Sequence, residues 1–170
     1  MVYEWNREIG LNFYLEKKKK KEDNLYKNVD SLSIQKFSVL LAVFVCYYLR
    51  IPDIKTREEL EEEMNKILRE LSFKGKDFLE IPIKEELYVI DNIELEKGIA
   101  KNRALLDNIF SLFVAINNKV PIFIVGKPGC SKSLSVQLIN KSMKGDSSKK
   151  SLFKDLPKII LSSYQGSMRI

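Results

Sequence analysis

The sequence contains no histidine and only two cysteines, Cys46 and Cys130, far apart in the chain. Four Cys/His ligands cannot be assembled from that set, so a structural zinc cluster within this chain is excluded. A histidine-based catalytic triad is excluded as well. Two isolated cysteines make no disulfide framework, and a cytoplasmic setting is the default expectation. Long apolar runs are also missing. The longest, FSVLLAVFVCYYL from Phe37 to Leu49, falls short of the roughly 20 residues that cross a bilayer as a helix. It reads as a buried helix, and no transmembrane segment is expected. Met1 to Leu15 lacks the basic-then-apolar order of a secretory leader. No internal repeat is visible.

What is present is enough for one domain and part of a neighbour: 170 residues, 45% of them hydrophobic. The net charge is +6, much of it concentrated in the run Lys17 to Lys21. Such a run is ordinarily a solvated stretch, with a nucleic-acid or anionic-membrane contact as the alternative. Residues 1–30 carry little regular pattern beyond Trp5, Ile9, Phe13 and Leu15, which suit a short helix.

Residues 31–80 read as a helical segment. Asp30 and Ser31 offer N-caps for a helix to about Leu49, apolar nearly all round, which Pro52 stops. The next helix, TREELEEEMNKILREL, opens on Thr56 and Glu59 at capping-box spacing. Leu60, Met64, Ile67, Leu68 and Leu71 share one face of it, while Glu58, Glu61, Glu62 and Glu63 form the solvated side. Gly75 and Pro82 bracket a connection, and a domain boundary falls near Phe78 to Leu87.

Residues 86–170 read differently. ELYVIDNIE, Glu86 to Glu94, suggests a short extended segment. A helix follows from about Ala104 to Asn117, with Leu105, Ile109, Leu112, Phe113 and Ile116 as its apolar stripe. VPIFIVG, Val120 to Gly126, has the composition of a buried parallel strand. Ser133 to Met143 is helical and Gly145 ends it; GDSSKKS is a polar loop; KIILSSY, Lys158 to Tyr164, is a second buried strand. The order strand, glycine-bearing turn, helix, strand predicts an α/β fold with a βαβ unit, preceded by the helical segment.

The turn in that unit is GKPGCSKSL, Gly126 to Leu134. It approaches the phosphate-loop pattern G-x-x-x-x-G-K-[ST], with Ser131 standing where the second glycine belongs. Such a loop works when successive backbone N–H groups point inward and a helix N-terminus follows. On that reading Gly126 opens the loop and Gly129 makes the tight turn. Lys132 reaches the β- and γ-phosphates of ATP, and the Ser133 hydroxyl meets Mg²⁺. Lys127, Pro128, Cys130, Ser131 and Leu134 complete the cradle. The alternative is a structural Gly-Pro turn whose lysine is merely solvated. The Cys130 thiol, beside a helix N-terminus and a lysine, is open to activation or is simply a small side chain that fits. Serine at 131 costs little if its φ is negative and about 1 kcal/mol if positive. LYVIDN, Leu87 to Asn92, mimics an apolar run ending in a magnesium-binding aspartate. It lies before the loop, where that architecture has none, so Asp91 is set aside.

The stretch IAKNRALLDNIFSLFVAINNKVPIFIVGKPGCSKSLSVQLINKSMKG resembles one AAA+ module of the mysterin family, giant ring-finger E3 ubiquitin ligases. That family shows GKPGSSKSL at the loop, so the serine at 131 is a family habit and Cys130 a mild departure. LFKDLPKIILSSYQGS and VCYYLRIP are similar to further family segments. The resemblance implies that Gly126, Gly129, Lys132 and Ser133 bind nucleotide. It also implies that the remaining AAA+ modules and the ubiquitin machinery are the partners of such a module. The family's acidic strand, sensor residues, arginine finger and ring finger are not found up to Ile170, so the chain is expected to be a piece of a large protein that binds ATP without hydrolysing it alone. A small kinase or GTPase is one alternative, though neither a substrate lid nor an N-K-x-D motif is present. A non-enzymatic basic helical interaction module is the other.

Overall fold

A computed structural model describes residues 31–71, 77–154 and 156–162, with side chains from residue 35 onward. Its regular structure is helical: α1 (Ser31–Cys46), α2 (Ile54–Glu70), α3 (Glu80–Asn92), α4 (Arg103–Asn117), α5 (Lys132–Ser142) and the single turn α6 (Ser151–Lys154). Two 3-10 turns, Tyr48–Arg50 and Gly145–Ser147, join them. The lysine run, the first apolar residues, Gly75 and Asp155 lie outside the described residues.

Among the described residues there is no strand, which overturns the α/β expectation. Residues 120–127 and 157–162 are extended in neither a ladder with each other nor one with a third segment. The physical reason is that a helix closes its hydrogen bonds within one segment, whereas an extended run becomes a strand only beside a partner. Without one, several apolar side chains of VPIFIV and KIIL are left in solvent, Val125 92% exposed and Ile160 83% exposed, while Ile124 and Ile159 pack partly on the core.

The second correction concerns Glu86 to Glu94, expected to be extended; Glu86 to Asn92 form the second half of α3, and only Ile93 and Glu94 lie beyond its end. The helix begins earlier, and its buried face runs through Ile81, Glu85 and Val89 and through Pro82, Glu86 and Ile90, at four-residue spacing. Two of those positions are glutamates, which hides the apolar period. Pro82 lies in the first turn of α3, where its missing N–H costs no helical bond, and so it belongs to the helix rather than to the connection.

The other helices follow their stripes. α1 buries Phe37, Leu40, Leu41 and Phe44. α2 is capped by Asp53, whose carboxylate accepts from the Thr56 N–H at 2.8 Å, so Thr56 is the capped residue and not the cap. Leu68 is buried and Leu60 and Met64 pack on the core, while Ile67 and Leu71 remain exposed. α4 is central: it packs against α3 on one side and α5 on the other. Asn102 caps it, accepting from the Leu105 N–H at 2.9 Å. Its Ile109, Phe110 and Phe113 join Phe44, Val89, Ile139 and Phe153 in one continuous apolar cluster.

An ionic chain crosses this cluster. Arg57 of α2 bonds Asp107 of α4 at 3.0 Å, Arg103 bonds Asp107 at 2.6 Å, and Arg103 meets the fully buried Glu86 of α3 at 2.8 Å. Arg57 also donates to the Ile51 carbonyl at 2.7 Å and lies over the Tyr48 ring, 5.1 Å from its centroid. Burial pushes the Glu86 carboxyl up to about 7; Arg103 opposes that and Asp107 reinforces it.

Candidate functional site

The loop of interest lies between α4 and α5. Asn118 ends α4, and Lys119, at φ 55°, turns the chain by donating its N–H to the Ile116 carbonyl. The Val120 N–H donates to the Ala115 carbonyl at 2.9 Å. The chain then runs extended beside a groove of about 560 Å³, whose lining includes Leu49, Pro52, Ser111 and Ile122, and reaches Gly126.

From Gly126 the loop folds on itself. The Cys130 N–H points to the Lys127 carbonyl at 3.4 Å. Gly129, at φ 85°, takes a left-handed turn that a side chain would resist. A Cβ at Gly126 would lie 3.8 Å from Cys130 Cβ and 4.0 Å from Lys132 Cδ, so the two ends of the loop face each other across a short gap. Cys130 is a free thiol, half-buried on that gap. Ser131 is also left-handed, with φ 55° and ψ 18°. The positive sign selects the costly branch for a residue with a Cβ.

α5 starts at Lys132. Its first backbone bond runs from the Ser135 N–H to the Ser131 carbonyl at 2.9 Å, so the amides before Ser135 have no partner within the helix. The Ser131 side chain makes no capping bond. The helix N-terminus is therefore left open. The Ser133 hydroxyl is exposed on this first turn, and Leu134 behind it packs on the core. Buried Ser135 donates its hydroxyl to the Lys132 carbonyl at 2.7 Å, which ties down the turn from inside.

The Lys132 ammonium returns to the loop that precedes it. Its Nζ donates to the carbonyls of Gly126, at 2.8 Å, and Lys127, at 2.6 Å. A cation at the mouth, unpartnered helix amides, a left-handed glycine and an exposed hydroxyl form a donor set suited to an anionic phosphate chain and a hard cation. The residues fit ATP with Mg²⁺ on those grounds. Lys127 and Pro128 form the exposed outer rim.

A contact that the spacing does not reveal comes from α4. Asn108 donates its side-chain amide to the Cys130 carbonyl at 2.8 Å. The only sequence signal was a polar amide at the edge of the Leu105–Ile109–Leu112 stripe. Asp91 pairs with Lys101 at 3.1 Å on the surface of α3, away from the loop contacts. Asp146 lies in the 3-10 turn after α5. Among the described residues no helix is long and apolar enough to cross a membrane, and no cluster of three or more His, Cys, Asp or Glu suits a metal ion.

This loop lies within residues 98–170, which a model of the RNF213 AAA domain matches. The chain is thus RNF213-like. It is 35% identical over 136 residues to E3 ubiquitin-protein ligase RNF213 of Homo sapiens, a match that covers 77% of this chain and 2% of the human protein. It is 35% identical over 130 residues to E3 ubiquitin-protein ligase rnf213-beta of Danio rerio, covering 76% of this chain and 2% of that protein. With the Mus musculus E3 ubiquitin-protein ligase RNF213 it shares 40% identity over 73 residues, 43% of this chain and 1% of that protein. The chain thus spans about 2% of the length of the first two relatives.

Proposed function

We propose that the segment Gly126–Leu134 binds ATP with Mg²⁺. Lys132 faces the β- and γ-phosphates and the Ser133 hydroxyl meets the metal. The observation that carries this reading is the Lys132 ammonium, held at the loop mouth by the Gly126 and Lys127 carbonyls ahead of the open N-terminus of α5. The bound metal would neutralise phosphate charge. The chain's own part is to hold the triphosphate through backbone amides, Lys132 and Ser133.

Within this reading the module serves a cytoplasmic ring-finger E3 ubiquitin ligase, alongside other AAA modules and the ubiquitin machinery. The two free cysteines accord with a reducing compartment. ATP turnover requires an acidic group beside the metal, a residue that orients water and a cationic finger. After Ser133 the chain offers only Asp146 and Asp155 as side-chain carboxylates. Binding without turnover is therefore the expected behaviour of the 170-residue chain.

Calorimetry with ATP and Mg²⁺ tests the assignment. Lys132→Ala removes a charged contact worth roughly 1.5–3 kcal/mol, so affinity falls at least ~10-fold. Equal affinity in wild type and Lys132→Ala would remove the loop from consideration. Phosphate release by the wild type clearly above that of Lys132→Ala would show that a catalytic acid exists in the chain.

A further inference from the structure

The 130–131 peptide is pulled in two directions. Its carbonyl accepts from Asn108 of α4 at 2.8 Å. Its nitrogen belongs to Ser131, which stands at φ 55° without a capping bond from its own side chain. All peptide bonds of the described residues are trans, so the carbonyl and the N–H of one peptide point in opposite directions. Fixing the Cys130 carbonyl toward α4 therefore aims the Ser131 N–H away from α4.

A half-turn of this peptide plane would relieve the serine. It would take the Ser131 φ to about −125° with ψ unchanged at 18°, a negative-φ conformation less strained for a residue with a Cβ than the left-handed one. It would also turn the Ser131 N–H toward α4 and remove the Cys130 carbonyl from Asn108. The side chain of Ser131 thus favours the flipped peptide, and the amide of Asn108 opposes it. Other loop bonds, from Lys132 Nζ and from the Cys130 N–H, go to the Gly126 and Lys127 carbonyls and leave this plane free.

We propose that Asn108 is a positioning residue for the phosphate-binding loop: its amide holds the 130–131 peptide with its N–H presented to the anion. The inference rests on the nucleotide reading given above for its consequence, and on the Asn108–Cys130 bond and the Ser131 dihedral for its geometry. Asn108 does not touch the nucleotide. It acts through the backbone of residue 130.

The test uses the 170-residue chain with Asn108→Ala, Asn108→Asp, Ser131→Gly and the double variant Asn108→Ala/Ser131→Gly. Asn108→Asp keeps the size of the side chain but places an acceptor against the carbonyl, so it stands in for alanine if that variant folds poorly. Hydrogen–deuterium exchange without nucleotide is the first readout. Faster exchange is expected in both Asn108 variants at the Cys130 and Ser135 amides, whose bonds to the Lys127 and Ser131 carbonyls depend on the shape of the loop, with the amides of α1 unchanged. ATP affinity is the second. It falls about tenfold in both Asn108 variants, the equivalent of one lost hydrogen bond. Because glycine removes the drive to flip, the double variant returns to within about threefold of Ser131→Gly alone. Unchanged exchange in both Asn108 variants, or equal losses on the serine and glycine backgrounds, would overturn the proposal. A wild type that does not bind ATP would sink the nucleotide reading instead, and the exchange data would still decide whether Asn108 holds the loop.

Discussion

Phe44 and Phe123 are the same side chain in two settings. Phe44, on α1, is 0% exposed and stacks on Tyr48 with centroids 5.2 Å apart. Phe123, in the extended segment before the loop, is 90% exposed. The runs around them are comparably apolar, so hydrophobicity does not separate the helical body from the segments that flank α5. Backbone hydrogen bonding does. A helix satisfies its own N–H and C=O groups and is free to turn a whole face inward. An extended segment satisfies them only beside a neighbour, and no neighbouring strand exists among the described residues. The body is self-sufficient, whereas the flanking segments keep an apolar surface of the kind that interaction sites use.

The comparison breaks most sharply at Phe44. Phe44→Ala should lower unfolding free energy by about 3–5 kcal/mol in urea titrations, because the ring is enclosed by Tyr48 and Phe110. A loss as small as that of a surface residue would mean that the helical body is not the stable half.

Glu86 comes next. Its folded carboxyl is pushed up to about 7 from 4.5, so between those pH values the native state keeps a proton that the unfolded chain has released. The contribution of Glu86 to stability is therefore fully present below about pH 4.5, declines as pH rises to about 7, and is lost above it; its span is roughly 3 kcal/mol. Glu86→Gln should abolish that slope in melting temperature. A wild-type melting temperature that rises across this window would contradict the burial of the carboxyl.

Asp53→Ala removes the cap of α2 and should cost about 1 kcal/mol by urea titration. Ser131→Gly sharpens the comparison from the other side. It relieves a left-handed serine and should raise stability by about 0.5–1 kcal/mol, leaving ATP affinity within about fivefold. Phe123→Ala is the smallest change, within about 0.5 kcal/mol of wild type. A loss of several kcal/mol there would show the flanking segment to be part of the folded core.

The sequence made the helices with clear apolar stripes legible. α1, α2, α4 and α5 lie where the spacing put them, to within a few residues at their ends. α3 was illegible because Glu85 and Glu86 occupy buried positions, and for Glu86 the partner that accompanies burial lies in another element, where Arg103 pairs with it. VPIFIV and KIILSSY have strand composition, but composition says nothing about whether a ladder partner stands alongside. At the loop, the spacing gave Gly126, Gly129, Lys132 and Ser133 as candidates. It left the sign of the Ser131 φ open, since a single side chain fits either branch. Asn108 was out of reach because its bond to Cys130 joins residues 22 positions apart in the chain.

The folded-back Lys132 has a further consequence, for the entropy of binding. A lysine on an open surface samples many rotamers, and fixing one costs up to about 2 kcal/mol. Here the ammonium is already confined between the Gly126 and Lys127 carbonyls. Its freedom is lost when the chain folds, not when an anion arrives. On the proposed nucleotide reading, an arriving phosphate would exchange hydrogen-bond partners with a cation that is already in place.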